Sequence, residues 1–105
     1  MKSYKKSSDK ETVKQELSQD VPMVVRIFKE TCPACQMSEK PWKSFCQSPP
    51  RGFVIMEVEE QALPSEVLSK IDGFPTYAVH TKGSSKHHTG AMMTPAEIKE
   101  FVASA

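Results

Sequence analysis

No run of apolar residues in this 105-residue chain approaches the roughly 20 that a bilayer-spanning helix requires, so a membrane span is excluded. A charge excess is missing too: 14 basic side chains face 13 acidic ones, leaving a net +1, and no global field draws the chain to nucleic acid or anionic lipid. Cysteine is scarce and odd in number. Three residues, Cys32, Cys35 and Cys46, cannot build a disulfide scaffold of the kind small secreted domains use. The opening Met1-Lys-Ser-Tyr-Lys-Lys-Ser-Ser8 is followed by Asp9, Lys10 and Glu11, where a signal peptide would need its apolar stretch, so the expected compartment is the cytoplasm. Internal repeats and long linkers are likewise missing. With 38% hydrophobic residues, the chain has the size and content of one domain with one core.

What is present is a regular succession of elements. Residues 1–8 read as a flexible, solvated tail ahead of a single domain over residues 9–105. Ser8-Asp-Lys-Glu11 has the form of a capping box and predicts a short peripheral helix to about Gln19, with Val13 and Leu17 as its apolar stripe. Pro22 to Phe28 reads as a strand covered on both faces, interrupted by one charge, Arg26. Cys35, Trp42, Phe45 and Cys46 share one side of a helix that Pro41 should kink.

Ser48-Pro-Pro-Arg-Gly52 forces a loop, and strand character returns from Phe53 to Glu59. Pro64 starts a helix carrying Val67, Leu68 and Ile71, which Asp72-Gly73 ends. Thr76–Thr81 and Lys86–Thr89 flank Lys82-Gly-Ser-Ser85 as a hairpin. Thr94-Pro-Ala-Glu97 is a second capping box, opening a helix that buries Ile98, Phe101 and Val102. Strands alternating with helices imply a parallel pair, and the hairpin adds antiparallel strands. The expected architecture is an α/β fold with a central four-stranded mixed sheet, helices on both faces and an extra N-terminal helix.

Chemistry concentrates in Thr31-Cys-Pro-Ala-Cys35, at the junction between a strand and a helix. Unpaired backbone N–H groups there favour a thiolate at Cys32, and the thiolate is the form that attacks disulfides. Two intervening residues set the second sulfur one helical turn deeper, close enough to close a disulfide, so Cys35 can resolve a mixed disulfide formed at Cys32. Pro33 has no N–H to leave unpaired and presets helical geometry. The same pair could instead hold zinc or an iron–sulfur centre between two copies, although one pair alone does not complete a closed site. Cys46, eleven residues beyond Cys35, is three helical turns away and reads as a core thiol. His87 and His88 point to opposite faces of a regular strand, so with His80 they make no shared metal site.

Gly73-Phe-Pro-Thr76, just ahead of a strand and about forty residues beyond the cysteine pair, completes a pattern. From Pro22 to Ala105 the chain resembles the thioredoxin superfamily, whose members carry Cys-X-X-Cys at the start of a helix and a cis-proline opposite it. The resemblance implies a thiol–disulfide oxidoreductase. It implies that Cys32 and Cys35 are catalytic and that Thr31, Pro33, Ala34, Phe74 and Pro75 form the substrate-binding surface, with the Phe74 backbone pairing with the substrate chain. Disulfide-containing proteins would be the substrates of a monomer that binds no organic cofactor. Its Cys32–Cys35 disulfide would be restored by an external reductant, either thioredoxin reductase or glutathione.

Lys29-Glu-Thr-Cys-Pro-Ala-Cys35 is similar to glutaredoxins in its Lys, Thr and Pro, which would suit glutathione, but Gly90-Ala-Met-Met93 replaces their glutathione-holding stretch. The Gly-Phe-Pro-Thr string, the hairpin and the last helix are more similar to thioredoxins. Thioredoxins, however, have Trp where this chain has Thr31, a buried Asp where it has Arg26, and a helix proline one residue earlier than Pro41. A covered arginine needs a partner. Glu57, on the next strand, is the expected one; the alternative is Arg26 reaching solvent along a buried stem.

Overall fold

The structure is a computed structural model that describes all residues, 1–105. Its sheet has five strands, β1 (Lys2–Tyr4), β2 (Met23–Phe28), β3 (Val54–Glu59), β4 (Thr76–Thr81) and β5 (Ser84–Thr89), in the order β1-β3-β2-β4-β5. β1, β3 and β2 run parallel to one another, and β4 and β5 are antiparallel to their neighbours. The helices are α1 (Lys10–Leu17), α2 (Pro33–Met37), α3 (Glu39–Gln47), α4 (Ser65–Leu68) and α5 (Pro95–Ala103). None is long and apolar enough to cross a membrane.

β2 is buried along its whole length, as its apolar composition, broken only by Arg26, predicts for a central strand. Its side chains alternate between two cores. Val24 joins Trp42, Phe45, Ile55, Tyr77, Val79, Met92, Ile98 and Val102 on the face covered by α3 and α5. Met23, Val25 and Ile27 join Val13, Met56, Val58, Ala62 and Leu63 on the other. By this period of two, Arg26 belongs to the first face, and its register partner across the parallel ladder is Glu57.

Three expectations are corrected here. The first eight residues are not a solvated tail: Lys2–Tyr4 adds a fifth strand along β3, Ser3 opposite Glu57, and Ser7–Asp9 forms a 3₁₀ turn. A three-residue edge strand whose side chains are mostly exposed carries too short an alternation to be visible in sequence. The capping box shifts with it: the Lys6 amide donates to Asp9 Oδ2 at 3.3 Å, in place of the Ser8–Glu11 pair. α1 is not peripheral, since Val13 is fully buried in the second core.

Elsewhere local signals hold. The long redox-side helix breaks at Ser38, and Pro41 has no N–H to offer the Met37 carbonyl one turn back. Thr94 Oγ1 accepts from the Glu97 amide at 3.1 Å, the N-cap half of the expected box, while the Glu97 carboxylate accepts from the Thr94 hydroxyl rather than from its backbone amide. The hairpin turns at Lys82-Gly83, where Gly83 has φ +77°. The helix after Pro64 covers only Ser65–Leu68 before dissolving into isolated turns that carry Ile71.

Candidate functional site

Cys32 lies at the end of the loop leaving β2, with extended backbone, as the N-cap of α2. Its half-buried sulfur accepts a hydrogen bond from the Cys35 amide at 3.1 Å, which satisfies one of the otherwise unpaired donors of the first turn. Pro33 follows at the first helical position, exposed, with Ala34 half-buried beside it. Cys35 is 3% exposed. Burial pushes its thiol up to about 11, helped by its hydrogen bond to Cys32 and only partly opposed by a Lys29 backbone N–H and the positive charge of Arg26. All three cysteines are free thiols.

The Phe74–Pro75 peptide bond is cis, and the Cys32 thiol donates to the Phe74 carbonyl at 3.6 Å. The Pro75 carbonyl in turn accepts from the Gly90 amide at 2.8 Å, which brings the Gly90–Met93 segment beside the cysteines' loop partner. The fold thus brings together Thr31, Cys32, Pro33 and Ala34 from the β2–α2 junction and Phe74 and Pro75 from the loop before β4. Thr31 and Pro33 are exposed, and Met37 (64%) and Met93 (45%) are the large apolar residues left open nearby in sequence. Lys29 extends its ammonium over the Phe74 ring at 4.9 Å and pairs with Glu60 at 3.5 Å.

Below Cys35, Arg26 is 2% exposed. One guanidinium nitrogen donates to the Cys35 carbonyl at 2.8 Å and to Ser38 Oγ at 2.9 Å, and the group lies against the rings of Phe28 (5.4 Å) and Tyr77 (5.9 Å). Its Nε has no partner. The expected Arg26–Glu57 ion pair is not formed, and neither does Arg26 reach solvent. Register places the two residues side by side, but Glu57 turns to other donors. Its Oε2 accepts from Ser3 Oγ at 2.8 Å, and its Oε1 from Trp42 Nε1 at 2.9 Å and Lys43 Nζ at 3.4 Å. Burial alone would push the Glu57 carboxyl up; the bonds from Ser3, Trp42 and Lys43 outweigh it and hold the group below the usual carboxylate range. Ser38 and Ser3, neither of which any motif marks, decide these two partnerships. Ser38 sits three residues past Cys35 on a face no apolar pattern singles out, and Ser3 acts only through strand pairing.

Cys46 packs half-buried at the edge of the first core, and burial together with the Glu57 charge pushes its thiol up to about 11. The histidines stay apart from the cysteines. His80 Nε2 and Nδ1 lie 2.7 Å from Asp20 Oδ1 and Ser85 Oγ, tying the loop before β2 to the hairpin, and His88 packs near Tyr77 and Phe101. No group of three or more His, Cys, Asp or Glu side chains converges as a metal would require.

A mixed sheet that presents an N-capping cysteine, a second cysteine one turn deeper and a cis-proline loop across from them defines a dithiol protein of the thiol–disulfide exchange class. Residues 4–104 match the family model for thioredoxin, and the chain belongs to the thioredoxin family. No curated protein matches it by sequence. Solved structures do match its fold. Chloroplastic thioredoxin z superposes with a TM-score of 0.74 at 19% identity, covering 99% of this chain and 94% of that one. The thioredoxin of Malassezia sympodialis gives 0.73 at 17%, covering 99% and 90%, and that of Trypanosoma brucei brucei 0.70 at 21%, covering 90% and 82%. Family membership and the adjacent cysteines make the chain a thiol–disulfide oxidoreductase at the family level.

Proposed function

We propose that the protein reduces disulfides in other proteins by dithiol exchange, as a monomer in the cytoplasm, with no bound cofactor. Cys32 sulfur attacks a substrate disulfide, forming a Cys32–substrate bond and releasing one substrate thiolate. Cys35, after losing its proton, attacks the Cys32 sulfur. The Cys32–Cys35 bond forms, the mixed disulfide breaks, and the second substrate thiolate leaves and takes up a proton. Two electrons pass from the cysteine pair to the substrate, and an external reductant restores the dithiol.

The observation that carries this reading is the asymmetry of the pair: Cys32 is accessible and accepts the Cys35 amide at 3.1 Å, while Cys35 is 3% exposed behind it. Only the first can meet a macromolecular disulfide; the second can meet only the first. Thr31, Pro33 and Ala34 flank Cys32 in the chain and the Phe74 carbonyl accepts from its thiol, which supports a substrate chain lying across these residues and Pro75 and pairing with the Phe74 backbone. Equilibration in graded glutathione and dithiothreitol buffers, with alkylation and mass spectrometry, tests it. A two-electron transition confined to Cys32 and Cys35, at or below a cytosolic poise of roughly −220 to −320 mV, is expected. A pair that never closes overturns the reading. Turnover with NADPH and thioredoxin reductase compared with turnover on glutathione identifies the donor.

A further inference from the structure

The reaction requires Cys35 to give up its proton, and no buried free base stands beside it; Glu30 and Glu39, the unpaired carboxylates of the surrounding cavity, are exposed. The charged groups facing it come from every surrounding element: Lys5 beyond β1, Arg26 on β2, Lys29 and Glu30 in the following loop, Glu39 on α3 and Glu57 on β3, with the Cys32 sulfur on its open side. These six line, with Cys35, one polar cavity of about 270 Å³ that opens to solvent. Glu57 is the one buried acid among them, and its oxygens are already occupied by Ser3, Trp42 and Lys43. Glu59, also buried, is turned away to the amides of Glu30 and Gln61. Lys29 is spent on Glu60 and Phe74.

That leaves Arg26 as the buried cation of the group; with Glu57 held by Ser3, Trp42 and Lys43, no carboxylate forms an ion pair with it. Its acceptors are a carbonyl and a hydroxyl, both within the turn that carries Cys35, and its Nε has no acceptor. Burying a charge in this way is costly unless something nearby becomes negative. We infer that Arg26 is a positioning residue for the resolving step: it anchors the Cys35 turn through the Cys35 carbonyl and Ser38, and its charge stabilises the Cys35 thiolate that attacks the mixed disulfide. The Cys35 proton leaves to water in the cavity and on to solvent. Cys35 sulfur then bonds to Cys32 sulfur as the Cys32–substrate bond breaks and the substrate thiolate departs. A fixed, buried cation thereby favours loss of the Cys35 proton, which a carboxylate would promote by accepting it, because the field of a buried charge is less screened than that of one at the surface. Its charge already opposes the burial that pushes Cys35 upward, so its removal moves the thiol further up.

This rests on the proposed exchange reaction, and a two-step chromogenic disulfide separates the two. Reduced protein treated with 5,5′-dithiobis(2-nitrobenzoate) releases one equivalent of coloured thiolate when Cys32 attacks and a second when Cys35 resolves. Cys35→Ser gives one fast equivalent only, and the slow background from the third free thiol, Cys46, is removed by adding Cys46→Ser to every variant compared. Arg26→Met, which keeps the buried stem, is expected to leave the first rate within about twofold, slow the second at least tenfold at pH 7, and shift its alkaline limb upward by about one pH unit. Arg26→Lys, with charge but without the fork, recovers part of the second rate. Should Arg26→Met fail to fold, Ser38→Ala keeps the cation, removes one anchor and slows only the second equivalent, severalfold. An unchanged second rate and pH profile in folded Arg26→Met, or in folded Ser38→Ala where Arg26→Met does not fold, overturns the inference. A wild-type protein that releases one equivalent refutes the exchange reaction itself.

Discussion

Replacing Glu57 should expose how much of this domain hangs on one buried carboxylate. The side chain is 4% exposed and ties β3 to two other elements: Ser3 on β1 at 2.8 Å, and Trp42 and Lys43 on α3 at 2.9 and 3.4 Å. Glu57→Leu removes the acceptor from a fully buried indole N–H, and leaving such a donor unpaired costs about 1–3 kcal/mol. Loss of the Ser3 bond adds roughly 1 kcal/mol, while the exposed Lys43 adds little, so about 3 kcal/mol is expected in all. Glu57→Gln keeps an oxygen for Trp42, and its amide can donate to Ser3 Oγ. It should cost about 1 kcal/mol, the charge assistance alone. Urea unfolding reads both, with Tm falling about 4 °C per kcal/mol.

The pH dependence supplies a second check. The carboxyl is held below its ordinary 4.5 in the folded protein, so in this range the unfolded chain binds the proton more readily. The contribution is therefore fully present above about pH 5, and it is lost as pH falls through the folded value. The gap between wild type and Glu57→Gln should be open at neutral pH and close in acid. A gap that stays constant from pH 7 to pH 3, or a Glu57→Gln variant as unstable as Glu57→Leu, would refute the account of the site.

Two further outcomes are expected. At pH 7.5, limited iodoacetamide should label Cys32 first, with Cys35 and Cys46 slower by at least tenfold, because thiols pushed up to about 11 hold little thiolate there; peptide mass spectrometry measures the order, and Cys46 reacting alongside Cys32 would count against its burial. Deleting Met1–Lys5 removes β1 together with the Ser3 donor and the 2.6 Å Lys2–Glu16 pair, and should destabilise the fold by about 1–3 kcal/mol with faster amide exchange along β3; unchanged exchange would mean that the strand contributes nothing.

The cysteine pair at its helix start, the proline loop and most of the architecture were legible from residue order, because each depends on signals a few residues long. Cys-Pro-Ala-Cys at a strand-to-helix junction sets its own geometry through the N-cap and Pro33. The apolar run of β2, broken only by Arg26, announces a central strand, and Thr94 caps the last helix at the Glu97 amide without help from elsewhere. Four expected strands and three of the four expected helices follow from such patterns, the helix after Pro64 shrinking to Ser65–Leu68 because only tertiary contact stabilises so short a segment.

Partner choice among buried polar groups was decided elsewhere. Arg26 and Glu57 have opposite charge and share a register position, and from sequence they should pair. They do not, because β1 carries Ser3 to one side of Glu57, α3 carries Trp42 and Lys43 to the other, and the α2 turn offers Arg26 a carbonyl and Ser38. A hydrogen bond is won by the donor that packing delivers within 3 Å at the right angle, and that delivery is a property of how helices and strands dock, over sequence separations of up to 54 residues. The sequence by itself determined which two sulfurs stand together at a helix start; the tertiary structure alone decided which charge lies beneath them and that no carboxylate pairs with it.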